Sequence, residues 1–127
     1  MLVAITREVS PAIGDCELTH LERSSIDVEV ARDQHDAYTT ALAGLGCRIE
    51  QLPAEPDLPD SVFVEDVAVV LDEVAIITRP GAESRRGERP TIEQALLPYR
   101  PLEHIEAPAT IDGGDVLVAG REVWIGL

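Results

Sequence analysis

Two β-branched hairpin patterns, 49 positions apart, constrain this chain more than any other feature. Asp66-Val67-x-Val69 recurs as Asp115-Val116-x-Val118, and in the same register Glu73-Val74-x-Ile76 recurs as Glu122-Val123-x-Ile125. A shorter echo sets Ile5-Thr6-Arg7 against Ile77-Thr78-Arg79. Each of those strands leads through a loop into a helical segment and then another strand, so the repeating unit reads strand-strand-helix-strand. Internal periods of this size are the mark of modules arrayed around an axis or along a line. Composition alone can make Val/Ile hairpins look alike, and that reading stands beside the repeat.

The elements follow from periodicity and punctuation. Residues 2–6 read as a buried strand, followed by a long loop holding Ser10, Pro11, Gly14 and Asp15. Over residues 27–45 the apolar positions Val30, Ala37, Tyr38, Ala41, Leu42 and Leu45 recur at helical spacing, with Asp27 as N-cap and Gly46 as C-cap. Residues 47–52 read as a strand stopped by Pro53 and Pro56. Residues 67–71 and 74–78 flank Asp72-Glu73 as a hairpin, and residues 79–88 form a loop. A short helix spans 90–97, with Pro90 at its first position and Pro98 ending it. A strand at 102–106 and a second hairpin, 115–119 with 122–126 around Gly120-Arg121, complete the chain. That hairpin runs to Leu127 with no helix after it, and an apolar strand at the end of a half-finished module wants a cover. The expectation is therefore the N-terminal part of something longer, residues 1–127 of a single domain, or half of an assembly; a homodimer stays open.

The bulk numbers narrow the function classes. At 127 residues, 45% hydrophobic and 27% charged, the chain is globular and long enough for a real core. Its formal net charge of -14 argues against nucleic acid and anionic membranes as partners, because both call for Lys/Arg clusters. The same charge suits a cationic small ligand, and equally suits plain solubility. Cys16 and Cys47 have neither metal-site spacing nor a disulfide framework. The apolar start, Met1 to Arg7, is far too short for a signal h-region or a membrane span, so a cytoplasmic location is the default expectation.

Three carboxylates crowd the run Pro59-Asp60-Ser61-Val62-Phe63-Val64-Glu65-Asp66 among apolar neighbours. Such acids need a cation, since an unpaired charge away from water is costly. A guanidinium suits them best, because its donor fork meets carboxylates in paired, charge-assisted hydrogen bonds. Whether that cation belongs to the protein or to a substrate is the functional question. The bland answer is that Asp60 caps a turn beside Pro59 while Glu65 and Asp66 pair with Arg79 or Arg86.

With two further segments, Ile77-Thr78-Arg79-Pro80-Gly81-Ala82-Glu83-Ser84-Arg85-Arg86 and Ala109-Thr110-Ile111-Asp112-Gly113-Gly114-Asp115, that run closely resembles the dimethylarginine dimethylaminohydrolase family, in the guanidino-group-modifying (pentein) superfamily. The likeness covers essentially the whole chain but about the first half of the family's length. It implies an α/β fold, a five-bladed propeller of strand-strand-helix-strand modules of which this chain holds about the first half. It also implies the chemistry. A cysteine thiolate attacks the guanidinium carbon of an Nω-methylated arginine, methylamine or dimethylamine leaves, and water releases citrulline while a histidine handles the protons. No metal or organic cofactor is implied.

By the same resemblance, Asp60 and Asp66 hold the guanidinium, Glu65 grips the substrate's amino end, and Arg85 binds its α-carboxylate by a bidentate contact. Asp112 orients the catalytic histidine, Gly113 and Gly114 let the backbone pass close to the site, and Leu18 is a lid residue in the loop after the first strand. Each has an ordinary rival: Arg85 as a solvated arginine beside Arg86 and Arg89, Asp112 as an Asp-Gly turn. Phe63 is expected to pack in the core beside the site. The family's nucleophilic cysteine, catalytic histidine and Ser-x-Arg-Thr-Asn stretch have no counterpart in this sequence. Cys47 reads as inert core, and Cys16 lies between Asp15 and Glu17, which disfavour a thiolate. His20, His35 and His104 show no pairing pattern with either cysteine. This polypeptide alone is accordingly expected to be inactive until the C-terminal half of the same fold completes it. Two alternatives remain: a non-catalytic guanidinium-binding module, and another pentein enzyme such as an amidinotransferase or an arginine deiminase.

Overall fold

The computed structural model describes residues 1–126, and the chain divides into two compact units, Met1–Val62 and Phe63–Leu127. Leu127, where the second hairpin was expected to run out, lies outside the described residues. In the first unit, β1 (Val3–Arg7) pairs in parallel with β2 (Arg48–Leu52), from Val3 opposite Arg48 to Arg7 opposite Leu52. The crossover is α1 (Val28–Gly44). Its start is set by Asp27, whose carboxylate accepts the Glu29 and Val30 N–H groups at 3.0 and 3.2 Å. Its end is a Schellman turn. Gly46 takes φ +92°, its N–H donates to the Ala43 carbonyl, and the Cys47 N–H donates to the Leu42 carbonyl.

The face of α1 differs from the one its longest apolar stripe suggests. The residues that lose exposure are Val28, Ala31, His35, Thr39 and Leu42, whereas Val30, Ala37, Tyr38, Ala41 and Leu45 stay exposed. Only Leu42 belongs to both sets, and no residue of α1 is fully buried. Core apolar residues of this unit are Val9, Ile13 and Cys16, with Arg7 buried beside Glu55 at 3.5 Å. The two cysteines exchange their expected places: Cys16 is buried and Cys47 only half-buried, because the short 3₁₀ turn Ile13–Asp15 folds the loop inward.

The second unit contains a complete strand-strand-helix-strand module. β3 (Ala68–Val70) and β4 (Ala75–Ile77) form the first hairpin, and β5 (Leu102–His104) lies parallel to β4 after the crossover α2 (Arg89–Leu96). Ile92, Ala95 and Leu96 recur at the three- and four-residue spacing of one helix face and are buried in the same unit as Val67, Ala75 and Ile77. The second hairpin, β6 (Val116–Ala119) with β7 (Glu122–Ile125), pairs Val118 with Val123.

The repeat is visible in the backbone but not residue for residue. Each hairpin follows a 3₁₀ turn, Val64–Asp66 in one case and Gly113–Asp115 in the other. In the first, however, Val69 faces Ile76, so the aligned residues Val69 and Val118 have non-equivalent partners. The second turn comes one residue earlier because Gly120 supplies φ +62°, a conformation that Asp72 and Glu73 do not take. Leu117 and Trp124 project on one face of the second hairpin and Val118 and Val123 on the other, and all four are exposed. Among the described residues, no helix is long and apolar enough to cross a membrane.

Candidate active site

Three segments of the second unit converge on the carboxylate of Asp66. The 3₁₀ turn Val64–Asp66 presents it, closed by the Asp66 N–H donating to the Phe63 carbonyl and by the Thr78 hydroxyl donating to the Asp66 carbonyl at 2.7 Å. The Arg85 Nη1 donates to Asp66 Oδ2 at 2.6 Å, and the Gly114 N–H donates to Oδ1 at 3.0 Å. The segment that carries Asp66 is thus met by two groups, Thr78 and Arg85, from the second segment singled out in the sequence and by one, Gly114, from the third.

Arg85 is buried, on the 3₁₀ turn Glu83–Glu88. Its Nε and Nη2 donate to the two oxygens of Glu88 at 3.0 and 2.9 Å, and Nη2 also reaches the Phe63 carbonyl at 3.3 Å. Burial by itself lowers the guanidinium pKa. The hydrogen bonds that Arg85 donates to Glu88 and then to Asp66, with the charges of those carboxylates, outweigh it, so the pKa is raised above its already high ordinary value. The arginine that pairs with Asp66 is therefore Arg85 rather than Arg79 or Arg86. Arg79 donates to the Ala109 carbonyl, and Arg86 ties down Pro80, Gly81 and Glu83.

The two glycines are a matter of clearance. A β-carbon on Gly113 would collide with the Glu65 carbonyl oxygen, and one on Gly114 with Asp66 Oδ1. Asp112, just before them, is half-buried with its Oδ2 3.7 Å from where a β-carbon on Gly81 would sit, and its carboxylate has no hydrogen-bond partner among the described residues. The side chain of Glu65 is exposed. Phe63 is 40% exposed, not core: what it contributes is its carbonyl, which accepts from both Asp66 and Arg85.

Asp60 and Leu18 belong to the first unit. Asp60 is buried, and its carboxylate accepts the Glu17 N–H at 3.1–3.2 Å, which fixes the loop after β1 at the residue next to Leu18. The same loop is clamped by Arg23, which donates to the Gly14 and Cys16 carbonyls at 2.5 and 2.9 Å. Leu18 is exposed.

The residue that sequence reasoning missed is Glu88, 1% exposed and joined to Arg85 on both of its oxygens. The available signal was its three-residue spacing from Arg85, hidden in a stretch read as loop. Among the described residues, no three His, Cys, Asp or Glu side chains gather as a metal ion would need. A cavity of about 570 Å³ lies at the turn ends of the two hairpins, lined by Leu71, Asp72, Glu73 and Arg121 among others, and contains none of the carboxylates above.

No family model matches the chain. It is 43% identical to the N(G),N(G)-dimethylarginine dimethylaminohydrolase of Streptomyces coelicolor, over 97% of this chain and 48% of that protein. To the protein of the same name from Pseudomonas aeruginosa it is 44% identical, over 86% of this chain and 44% of the relative. The solved structure of the Pseudomonas aeruginosa protein, a cysteine-to-serine mutant complexed with citrulline, superposes with a TM-score of 0.91 at 42% identity, covering 97% of this chain and 49% of that one. The chain spans about half the length of the curated relatives it matches.

Proposed function

This chain belongs to the dimethylarginine dimethylaminohydrolase family, and on that premise we propose that it is the N-terminal half of a pentein propeller that hydrolyses Nω-methylated arginine to citrulline and methylamine or dimethylamine. The observation that carries this reading is the convergence of three separate segments on Asp66, with Arg85 and the Gly114 N–H fixing both of its oxygens. A carboxylate held in one orientation is what a flat cationic guest requires, because the donor fork of a guanidinium rewards only one alignment.

In this scheme Asp66 and Asp60 keep the substrate guanidinium charged, and hence electrophilic at carbon. Glu65 takes the substrate's ammonium group and Arg85 its α-carboxylate. Leu18 covers the bound substrate from a loop whose backbone Asp60 pins at Glu17. A cysteine and a histidine on the C-terminal half supply the chemistry. The thiolate adds to the guanidinium carbon, the amine leaves with a proton from the histidine, and water then attacks the thiouronium to give citrulline and regenerate the thiol. Asp112, whose carboxylate has no hydrogen-bond partner among the described residues, orients that histidine. The 127-residue chain alone is inactive in this reading.

The test is turnover by the full-length protein that carries this chain, with products identified by mass spectrometry. Citrulline together with dimethylamine from asymmetric dimethylarginine is the expected result. Ammonia from arginine, with dimethylarginine untouched, would assign the half-site to a different pentein reaction, and tight binding without any product would make it a binding module.

A further inference from the structure

We propose that Glu88 is a positioning residue that keeps this site selective for a cation by absorbing the positive charge of Arg85; the inference rests on the guanidinium-binding reading above. Taken as a pair, Asp66 and Arg85 would present no net charge to a ligand, and a guanidinium would meet Asp66 already neutralised at 2.6 Å. Glu88 changes that balance. Its two oxygens take the Nε and Nη2 edge of Arg85 at 3.0 and 2.9 Å, on the side of the guanidinium away from Nη1, which faces Asp66. Two carboxylates and one guanidinium leave the cluster with a charge of about minus one, and at these separations in a shielded site such a charge is felt strongly. Glu88 is 1% exposed, so its charge is little screened by solvent. The bidentate contact also fixes the plane of Arg85, and through Nη1 the orientation of Asp66.

A carboxylate kept only for packing and a carboxylate kept for its charge make different demands. Glutamine at this position has the same size and can still hydrogen-bond to Arg85, but carries no charge; aspartate keeps the charge and shortens the arm. The experiment measures, on the full-length protein, the inhibition constants of L-arginine and of citrulline against dimethylarginine hydrolysis. The two ligands share the amino-acid end and differ in the charge of the other, so their ratio isolates the effect. In Glu88→Gln, the preference for arginine over citrulline should fall about tenfold, a loss of about 1.4 kcal/mol, whatever change both ligands share through Arg85 at the amino-acid end. Glu88→Asp should keep the parent's preference for arginine even where it lowers the melting temperature. Loss of preference in the aspartate variant equal to that in the glutamine variant, or an unchanged preference in the glutamine variant, overturns the inference and leaves the guanidinium reading standing. A parent protein that shows no preference for arginine over citrulline sinks the guanidinium reading itself.

Discussion

The backbone N–H of Gly114 donates to the Asp66 carboxylate at 3.0 Å, joining residues 48 positions apart at a place where no side chain fits. The contact depends on a missing β-carbon as much as on the hydrogen bond, and it makes the two glycines separable by mutation.

Gly113→Ala should destabilise the protein more than Gly114→Ala. The first added carbon meets the Glu65 carbonyl, which is backbone and cannot rotate away, while the second meets a side-chain oxygen that can. Losses of roughly 3 kcal/mol or more and of about 1–3 kcal/mol respectively are expected from overpacking. Gly44→Ala, with open space around it and a helical backbone, should be neutral or stabilising by up to about 1 kcal/mol. Urea midpoints at constant slope measure all three, and equal midpoints for the two site glycines would contradict the clearance argument.

Asp66→Asn in the full-length protein should lower turnover at least about a hundredfold, since it removes the charge that both Arg85 and a cationic guest would share. Glu55 would be a poor control, because it pairs with buried Arg7. Asp57 is exposed and serves instead, and Asp57→Asn should leave kcat/KM within about twofold. Comparable activity for the two variants would remove Asp66 from the proposed pocket.

Asp60→Ala should loosen the loop after β1 while leaving the strands alone. The carboxylate holds the Glu17 N–H at 3.1–3.2 Å, and alanine has no oxygen to take its place. Faster amide exchange at Glu17 and Leu18, with unchanged protection in β1 and β2, is the expected signature. Unaltered exchange at Glu17 would mean that Arg23, through the Gly14 and Cys16 carbonyls, holds the loop by itself.

Alkaline pH separates Arg85 from a lysine. The folded-state pKa of Arg85 is raised above its unfolded value, so its stabilising contribution is complete below the unfolded value and lost only as pH climbs through the folded one, beyond ordinary working conditions. Arg85→Lys brings the group to an ordinary value near 10.4, about where the ion pairs with Glu88 and Asp66 begin to lapse. The urea midpoint of the variant should therefore hold its offset from the parent up to about pH 10 and fall further behind it between about pH 10 and pH 12. A constant difference across that range would show that the charge of residue 85 does little for stability.

Local chemistry made much of the fold readable. Asp27 and Gly46 announce both ends of α1, Pro90 and Pro98 bracket α2, and Gly120 marks the second turn. The apolar stripe on α1 was misleading, since the face that loses exposure carries His35 and Thr39 beside Val28, Ala31 and Leu42, and spacing alone does not tell which face meets the strands. The convergence on Asp66 was partly legible, since motif resemblance singles out Asp66, Arg85 and the glycine pair together. Glu88 was not, because a carboxylate three residues from an arginine is commonplace on a surface, and only burial gives this one its weight. Phe63 misled for the opposite reason: its ring suggests packing, yet its carbonyl is the group that the site uses.

The β6–β7 ribbon, with Leu117 and Trp124 on one side and Val118 and Val123 on the other, offers water no agreeable surface. Handled at high concentration as residues 1–127 by themselves, the polypeptide should stick to itself, eluting early and broadly from a sizing column, and a mild detergent or a Trp124→Lys change should sharpen the peak.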